Sequence, residues 1–256
     1  MNSEITTRIA LWLAQAKKPI VFTGAGVSTE SGIPDFRSPG GIWSKYRTVY
    51  YDEFLASADA RLEYWQQKSI GHRDFADAQP NAGHRVIAKW EAAGKVRGVI
   101  TQNIDGLHQI AGNQNVLELH GTARQILCQD CGARFDADPL VAEFLDTQCV
   151  PACRQCVDGR LKHATISFGQ TLPSDVLEKA VELCQQTDLL LAIGSSLVVS
   201  PAADLPAITK KRGGRLVIIN RDSTPLDALA DEVVHESIGP TLTAIDCCYA
   251  AAISDP

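Results

Sequence analysis

Residues 20–37 read IVFTGAGVSTESGIPDFR, and this stretch decides the fold class of the chain. Its first four residues are apolar or β-branched, which predicts a short buried strand, and the glycines after them predict a sharp turn into a helix. In many α/β proteins, backbone N–H groups at such a turn hold the pyrophosphate of a nucleotide. Because Thr29 stands where the third glycine of that fingerprint belongs, a tight turn without a ligand is the alternative interpretation.

Strand-like and helix-like segments alternate along the rest of the chain. Apolar, β-branched runs predict five strands, at residues 19–23, 96–101, 189–194, 216–220 and 232–235. Helical spacing of apolar residues predicts helices at residues 3–18, 82–93, 174–186 and 202–211. This alternation predicts an α/β fold with a doubly wound, Rossmann-like parallel sheet covered by helices on both faces.

Two segments interrupt the alternation. Residues 38–79 are rich in aromatic and charged residues and are typical of a helical insertion, whereas residues 122–163 hold five of the eight cysteines and indicate a smaller zinc-binding module. We therefore expect a single domain over residues 1–256. Its large Rossmann-like part would comprise about residues 1–37, 80–121 and 164–256.

The composition excludes several classes of protein. With 45% hydrophobic and 21% charged residues, the chain is typical of a globular protein and not of a disordered or fibrous one. The formal net charge of -6 argues against non-specific nucleic-acid binding, and no apolar run reaches the ~18 residues that would cross a membrane. Eight cysteines without an export signal favour reduced thiols or metal ligands. We expect a cytoplasmic monomer without nucleic-acid or membrane partners.

Two C-x-x-C pairs predict a metal site. Cys128 and Cys131 form the first pair, Cys153 and Cys156 form the second, and 21 residues separate the pairs. Four thiolates in such pairs are typical of a closed, tetrahedral structural Zn²⁺ site, which leaves no position for a reacting water. Cys149 is a competing partner for Cys153, and a redox-active dithiol is the alternative to zinc.

Polar residues follow the strand predicted at residues 96–101. Gln102, Asn103 and Asp105 stand where parallel sheets bind ligands, and they offer donors and acceptors that suit a carboxamide and ribose hydroxyls. His120 lies in the short extended run LELHG, and a histidine with an ordinary pKa of about 6.5 can accept a proton at neutral pH. By itself such a histidine is more often structural than catalytic, so its role depends on the neighbouring motifs.

Together these motifs resemble those of the sirtuin family of NAD-dependent protein lysine deacylases, in its bacterial form. Residues 24–37 are similar throughout to the sirtuin signature, and the likeness extends over about residues 18–238. It implies NAD as co-substrate, one structural Zn²⁺ per chain, and proteins bearing acyl-lysine as substrates. In the implied reaction the acyl group passes from lysine to ADP-ribose, nicotinamide leaves, and His120 deprotonates a ribose hydroxyl.

The resemblance also implies a set of site residues. It assigns catalytic roles to His120, Asn103 and Asp105, whose presence argues against a non-catalytic scaffold. The residues implied for NAD binding are Gly24, Ala25, Gly26, Thr29, Asp35, Phe36, Arg37, Gln102, Asn103, Ile104, Asp105, Gly194, Ser195, Ser196, Asn220 and Ile238. The residues implied for substrate binding are Ile166 and Phe168, on the acyl-lysine segment, and Trp65 and Lys68, in the helical insertion.

The chain departs from the family pattern beside the acyl-lysine segment. Relatives usually carry proline and an asparagine or aspartate before this segment and glutamate after its glycine, whereas His163, Ala164 and Gln170 stand here. Relatives that remove acidic acyl groups share a Tyr-x-x-Arg pair, and near its place this chain has Trp65 and Lys68. We therefore expect a deacetylase. Removal of succinyl or other long or acidic acyl groups, and mono-ADP-ribosyltransfer, are the alternatives.

Overall fold

The computed structural model describes residues 3–35 and 47–254. Within them the strands are β1 Ile20–Thr23, β2 Val99–Thr101, β3 Val116–Glu118, β4 Gly121–Cys128, β5 Arg134–Asp136, β6 Leu161–Thr165, β7 Leu189–Ile193, β8 Arg215–Ile219 and β9 Glu232–Val234. The α-helices are α1 Ser3–Gln15, α2 Tyr51–Ala56, α3 Ala58–Ala76, α4 Ala82–Ala92, α5 Leu107–Ala111, α6 Ala137–Thr147, α7 Ser174–Gln186, α8 Leu205–Lys211 and α9 Ile238–Ser254.

Six strands form one sheet in the order β3-β2-β1-β7-β8-β9, and every neighbouring pair is parallel. Its central strands β2, β1 and β7 are buried at every position, and alternate residues enter different cores. Val21 and Leu191 pack with α1, α4 and α9, whereas Phe22 and Leu190 pack with α7 and α8. Helices thus cover both faces of a parallel sheet, and the predicted doubly wound α/β fold is confirmed. Side chains alternate between the two faces of a strand, so a strand that is covered on both faces needs apolar residues at every position.

The strand order reverses direction between β1 and β7, which are neighbours in the sheet although far apart in sequence. In doubly wound sheets the loops separate at this point and leave a crevice at the carboxyl ends of the strands. The glycine-rich loop after β1 lies there against the loop after β7. Gly26 donates its backbone N–H to the carbonyl of Gly194 at 2.8 Å, and a Cβ on Gly24 would lie 2.7 Å from that carbonyl oxygen.

The second sheet is antiparallel, in the order β5-β4-β6. Helices α2, α3 and α6 pack against it, so that Phe54 and Trp65 share a core with Ile126 and Phe144. The helical insertion and the cysteine-rich segment, which the sequence presents as two separate interruptions, thus share a core in the described structure. A short helical segment and a three-stranded sheet each bury too little apolar surface alone, which explains why they combine.

The predicted strands and helices match the structure with small shifts at their ends. The segment predicted as a helix at 202–211 begins as a 3-10 turn, Ala202–Asp204, before α8. Strand β3 was not among the predicted strands, since three residues give no readable periodicity. No helix in the described ranges is both long enough and apolar enough to cross a bilayer.

Candidate active site

The glycine-rich loop continues into a 3-10 helix, Ala25–Ser31, that ends at Gly32 with a left-handed φ of 85°. Thr29, which replaces the third glycine of the dinucleotide fingerprint, donates its hydroxyl to the carbonyl of Gly26 at 2.9 Å. That bond stabilises the turn between Gly26 and Thr29, so the loop is tight without the third glycine. Expected NAD contacts that are half-buried in the structure are Ala25, Gly26, Thr29, Asp35, Gln102, Ile104 and Ser196.

Three buried polar side chains lie next to this loop. Ser28, 1% exposed, donates its hydroxyl to Asp105 Oδ2 at 2.7 Å and accepts from Asn103 Nδ2 at 3.1 Å. The other carboxylate oxygen, Asp105 Oδ1, accepts the backbone N–H of Leu107 at 2.9 Å. Asn103 and Asp105 are thus brought together as expected. Ser28 was missed, although its place directly after the glycine-rich turn was a usable signal.

A second connection joins the ends of β2 and β7. The Gln102 amide donates to the Ser195 hydroxyl at 2.6 Å, and Ser195 Oγ also accepts the backbone N–H of Leu197 at 3.2 Å. Gly194, just before, has a φ of 64°, a left-handed conformation that favours glycine. The structure therefore brings the two predicted nucleotide motifs to the same crevice.

His120 lies between β3 and β4, and its ring orientation is fixed by the backbone. Nδ1 is 2.9 Å from the carbonyl oxygen of Gln102. Because a carbonyl can only accept, Nδ1 must carry the proton in this bond, and Nε2 of the neutral ring is left as the basic nitrogen. Burial lowers the pKa of His120 from 6.5, so the ring is neutral and ready to accept a proton at neutral pH.

Buried threonines and a histidine support this site from behind. Thr23 donates its hydroxyl to Thr101 Oγ1 at 2.8 Å, and that oxygen also accepts the backbone N–H of Asn103 at 3.0 Å. Thr23 Oγ1 in turn lies 3.0 Å from Nε2 of His108, which therefore donates to it. Burial lowers the pKa of His108 to about 4, so this histidine stays neutral and holds the network in place.

The segment expected to bind acyl-lysine is hydrogen-bonded to the backbone of His120. The backbone N–H of Ile166 donates to the carbonyl of His120 at 2.9 Å, and two residues on, Phe168 is 43% exposed. Gln170, one of the departures from the family pattern, closes the next turn. Its side-chain oxygen accepts the N–H of Ser167 at 3.1 Å. A glutamate oxygen can accept in the same way, so this substitution preserves the turn.

Trp65 requires a correction. Its side chain is fully buried, its indole N–H donates to the carbonyl of Leu161 at 2.8 Å, and its ring packs 5.6 Å from that of Phe144. The expectation of a substrate contact followed from its place in the sequence, but the three-stranded sheet needs a large apolar side chain here. Lys68 is partly buried, with its Nζ 5.8 Å from the centroid of the Tyr64 ring, and burial lowers its pKa.

His163, another departure, is also a core residue. It is 1% exposed and lies between the rings of Tyr64, Trp65 and His72, with centroid distances of 5.5–6.1 Å. Burial, with the nearby charges of Lys68, His72 and Lys162, lowers its pKa well below 6.5. The neutral ring therefore fills the space between α3 and β6.

Two further expected NAD contacts differ in their surroundings. Asn220 lies at the end of β8 and donates its amide to the carbonyl of Asp222 at 2.8 Å, which shapes the loop at the crevice. Ile238, by contrast, is 8% exposed and packs in the core between the sheet and α9. Its side chain thus has a packing role, and its expected nucleotide contact stays a prediction. Phe36 and Arg37 lie outside the described residues.

The four cysteines of the two C-x-x-C pairs meet in one cluster, with all sulfur atoms within 4.8 Å of one another. Sγ of Cys128 is 3.7 Å from that of Cys156, and Sγ of Cys131 is 3.7 Å from that of Cys153. A tetrahedral zinc with Zn–S bonds of about 2.3 Å separates its sulfurs by about 3.8 Å, so the donor set fits Zn²⁺. Cys149 is exposed and does not belong to the cluster.

Comparison with known proteins identifies the family of this chain. The model of the Sir2 family matches residues 24–201. An NAD-dependent protein deacetylase of Rhodopseudomonas palustris is 50% identical over 90% of this chain and 91% of its own length. The chain belongs to the Sir2 family. NAD-dependent protein deacetylase 1 of Bradyrhizobium diazoefficiens is 48% identical over 92% of both chains.

The solved Sir2 structures share the whole architecture. A Sir2 structure with a p53 peptide and NAD⁺ is 34% identical, with a TM-score of 0.87 over 99% of this chain and 100% of that one. At this identity and coverage the likeness includes both sheets of the present chain. The sirtuin resemblance predicted from the motifs is therefore confirmed, and the crevice between β1 and β7 is the candidate active site of this Sir2 protein.

Proposed function

We propose that the chain is an NAD-dependent protein lysine deacetylase, which transfers the acetyl group to ADP-ribose and releases nicotinamide. One observation carries this proposal. His120, with Nδ1–H bonded to the backbone carbonyl of Gln102, has a neutral basic Nε2, and Gln102 directly precedes Asn103 of the buried Ser28–Asn103–Asp105 group. A base so oriented removes a proton from a hydroxyl that is brought within hydrogen-bond distance of Nε2.

We assign the remaining roles by position. Gly24, Gly26, Gly194 and Ser195 would hold the phosphates of NAD, because their loops meet at the switch point of the sheet. Asn103 and Asp105 would face the nicotinamide end. Ile166 and Phe168 would pair with the substrate peptide as an added strand, a common mode of peptide recognition at exposed backbone. The identity of relatives named as deacetylases supports these assignments.

The metal would be a single structural Zn²⁺ held by Cys128, Cys131, Cys153 and Cys156. Four thiolates complete its coordination and leave no open position, so the zinc would stabilise the antiparallel sheet and take no part in the reaction. We also propose that the chain acts as a cytoplasmic monomer without a nucleic-acid partner, which its acidic charge and free thiols favour. The predicted domain bounds remain proposals as well.

We propose acetyl-lysine in preference to succinyl-lysine. A succinyl group needs a firm cation for its carboxylate, as an arginine provides. Lys68 is the nearby candidate, and burial lowers its pKa. Because burial disfavours the charged form of a lysine, Lys68 is a poorer anchor for an anion than an arginine, which stays charged.

The experiment is a reaction of the purified protein with NAD and matched acetyl-lysine and succinyl-lysine peptides, followed by mass spectrometry. We expect free lysine, nicotinamide and O-acetyl-ADP-ribose, with the acetyl peptide preferred. His120→Ala should retain its zinc and lose turnover. Labelled ADP-ribose attached to protein, without deacetylated peptide, would instead indicate mono-ADP-ribosyltransfer, and faster removal of succinyl would reverse the proposed preference.

A further inference from the structure

Helix α2 lies between the loop of Cys128 and Cys131 and the segment proposed to bind acyl-lysine, and its first residue, Tyr51, is hydrogen-bonded to both. The N-terminal turn is firmly held. Tyr50 precedes it, and the Tyr50 backbone N–H donates to Glu53 Oε2 at 2.9 Å. Glu53 also pairs with Arg47 at 3.1 Å. A short helix fixed in this way transmits a displacement at one side to the other, because its backbone moves as a unit.

The first contact of Tyr51 is with the substrate segment. Its backbone N–H donates to the carbonyl of Phe168 at 3.0 Å. The ring of the preceding residue, Tyr50, lies 6.2 Å from the Phe168 ring, and both rings are about half exposed. The position of Phe168 relative to the crevice therefore depends on where α2 begins.

The second contact of Tyr51 is with the first cysteine pair. Its phenol donates to Oε1 of Gln129 at 3.0 Å. Gln129 lies between Cys128 and Cys131 in the sequence, and its own backbone N–H donates to the carbonyl of Arg160 at 2.9 Å. Gln129 thus belongs to the loop that carries two of the proposed metal ligands, and its backbone is held by Arg160.

The other end of α2 is tied to the same loop. Arg160 donates to the carbonyl of Leu55 at 3.1 Å and forms an ion pair with Asp130, which also lies between the two cysteines. Gln129, and Arg160 through its ion pair with Asp130, therefore connect α2 to the loop of Cys128 and Cys131 at its first and its next-to-last residue. Of these two connections, the one at Tyr51 also reaches the substrate segment, because the backbone of Tyr51 is bonded to Phe168.

We propose that Tyr51 is a positioning residue for peptide binding. Through its bond to Gln129, Tyr51 would anchor α2 to the loop of Cys128 and Cys131. In this way it would hold the Phe168 backbone in the position that an added substrate strand requires. The inference rests on the proposed function, since it takes residues 166–168 as the peptide-binding segment. Tyr51 would act through Phe168 and would leave the nucleotide crevice and His120 unchanged.

The test compares Tyr51→Phe, Gln129→Ala and the double variant with the full-length protein in its zinc-bound form. Tyr51→Phe keeps the ring and removes the phenol bond alone. Loss of one partly buried hydrogen bond corresponds to roughly a three- to tenfold change. We expect KM for an acetyl-lysine peptide to rise by about that factor, with KM for NAD and kcat at saturating peptide each within about twofold of the wild type.

Two comparisons separate positioning from general stability. Tyr249→Phe, the same change on α9 against the main core, should leave both KM values unchanged. The double variant should raise the peptide KM no further than the stronger single variant, because both changes break one bond. Gln129→Ala tests that bond from the other side if Tyr51→Phe folds poorly.

The outcomes distinguish this inference from the function on which it rests. A wild-type protein that does not deacetylate the peptide in the presence of NAD contradicts the proposed function itself. An active wild type with an unchanged peptide KM in both single variants overturns the role of Tyr51. Parallel increases in both KM values, or zinc loss in both single variants, would show that the bond is merely structural and would also overturn it.

Discussion

The substitution Gly159→Ala should abolish tight zinc binding. Gly159 follows the second cysteine pair, and a Cβ at this position would overlap the sulfur atoms of Cys128 and Cys156 and lie 3.0 Å from Cβ of Cys153. Real Cβ atoms do not approach other heavy atoms this closely, so the sulfurs would have to retreat. They have little room, because all four lie within 4.8 Å of one another.

The magnitude follows from the geometry of the cluster. Relieving the overlap requires a shift of about 1 Å, since carbon and sulfur need roughly 3.5 Å or more between them. Zinc–ligand distances tolerate only about ±0.2 Å. We therefore expect displacement of at least one thiolate. Loss of a residue that is hydrogen-bonded to a metal ligand already weakens metal binding by about 10- to 100-fold. Displacement of a ligand itself should therefore lower the zinc affinity by more than about 100-fold.

The assay is zinc content by mass spectrometry, with competition against a chromophoric chelator for affinity. Gly132→Ala is the matched control. Gly132 lies beside the first pair, has a left-handed φ of 74° and has open space around its Cα. An alanine there costs about 1–2 kcal/mol of backbone strain but leaves the sulfurs alone, so zinc should be retained. Gly159→Ala protein that holds one zinc with an affinity within threefold of the wild type would refute the reasoning.

The remaining predictions concern the crevice and the buried histidines. The acid limb of the pH profile of kcat/KM should lie below pH 6.5, since burial lowers the pKa of His120 and the neutral ring is the base; a midpoint above 6.5 would contradict this. Ser28→Ala should reduce kcat/KM by about 10- to 100-fold, because it leaves Asp105 Oδ2 without its hydroxyl donor; steady-state kinetics at saturating peptide would measure it. Acid should destabilise the fold. The pKa values of His84 and His108 fall from 6.5 to about 3 and about 4, so below pH 6.5 only the unfolded chain binds their protons. These two histidines alone should then lower the free energy of unfolding by roughly 2.7 kcal/mol per pH unit down to about pH 4, and buried His163 should add to that decrease, as urea titrations at several pH values can test.

Sequence patterns predicted those parts of the fold that depend on continuous runs. Strands β1, β7 and β8 are four or five buried residues each, and their apolar, β-branched composition identifies them directly. Strand β3 has only three residues, all half-buried, and it lies at an edge of the sheet. A strand this short is determined by its hydrogen bonds with β2 and has no sequence pattern that would predict it.

The correction at Trp65 has a physical reason. Trp65 was placed near the substrate by its position along the chain, but it is large, apolar and completely buried. The sequence shows that such a residue will be buried and does not show against which element. The union of α3 with the antiparallel sheet depends on contacts between residues about a hundred positions apart, such as Trp65 with Leu161. Local patterns cannot predict such a pairing.

The proposed catalytic histidine shows how much the identity of a residue alone can predict. That His120 could act as a base was readable from its side chain, but the orientation of the ring comes from the backbone carbonyl of Gln102. The Gln102 side chain reaches across to Ser195 on the neighbouring strand, and the carbonyl of His120 itself accepts the N–H of Ile166. Gln102 and His120 together thus link the nucleotide loops, the base and the proposed peptide segment. Because its two key bonds use backbone carbonyls, the arrangement depends on the register of β2, β3 and β6. Substitutions that preserve this register should therefore leave the base correctly oriented even where the surrounding side chains differ from those of other Sir2 proteins.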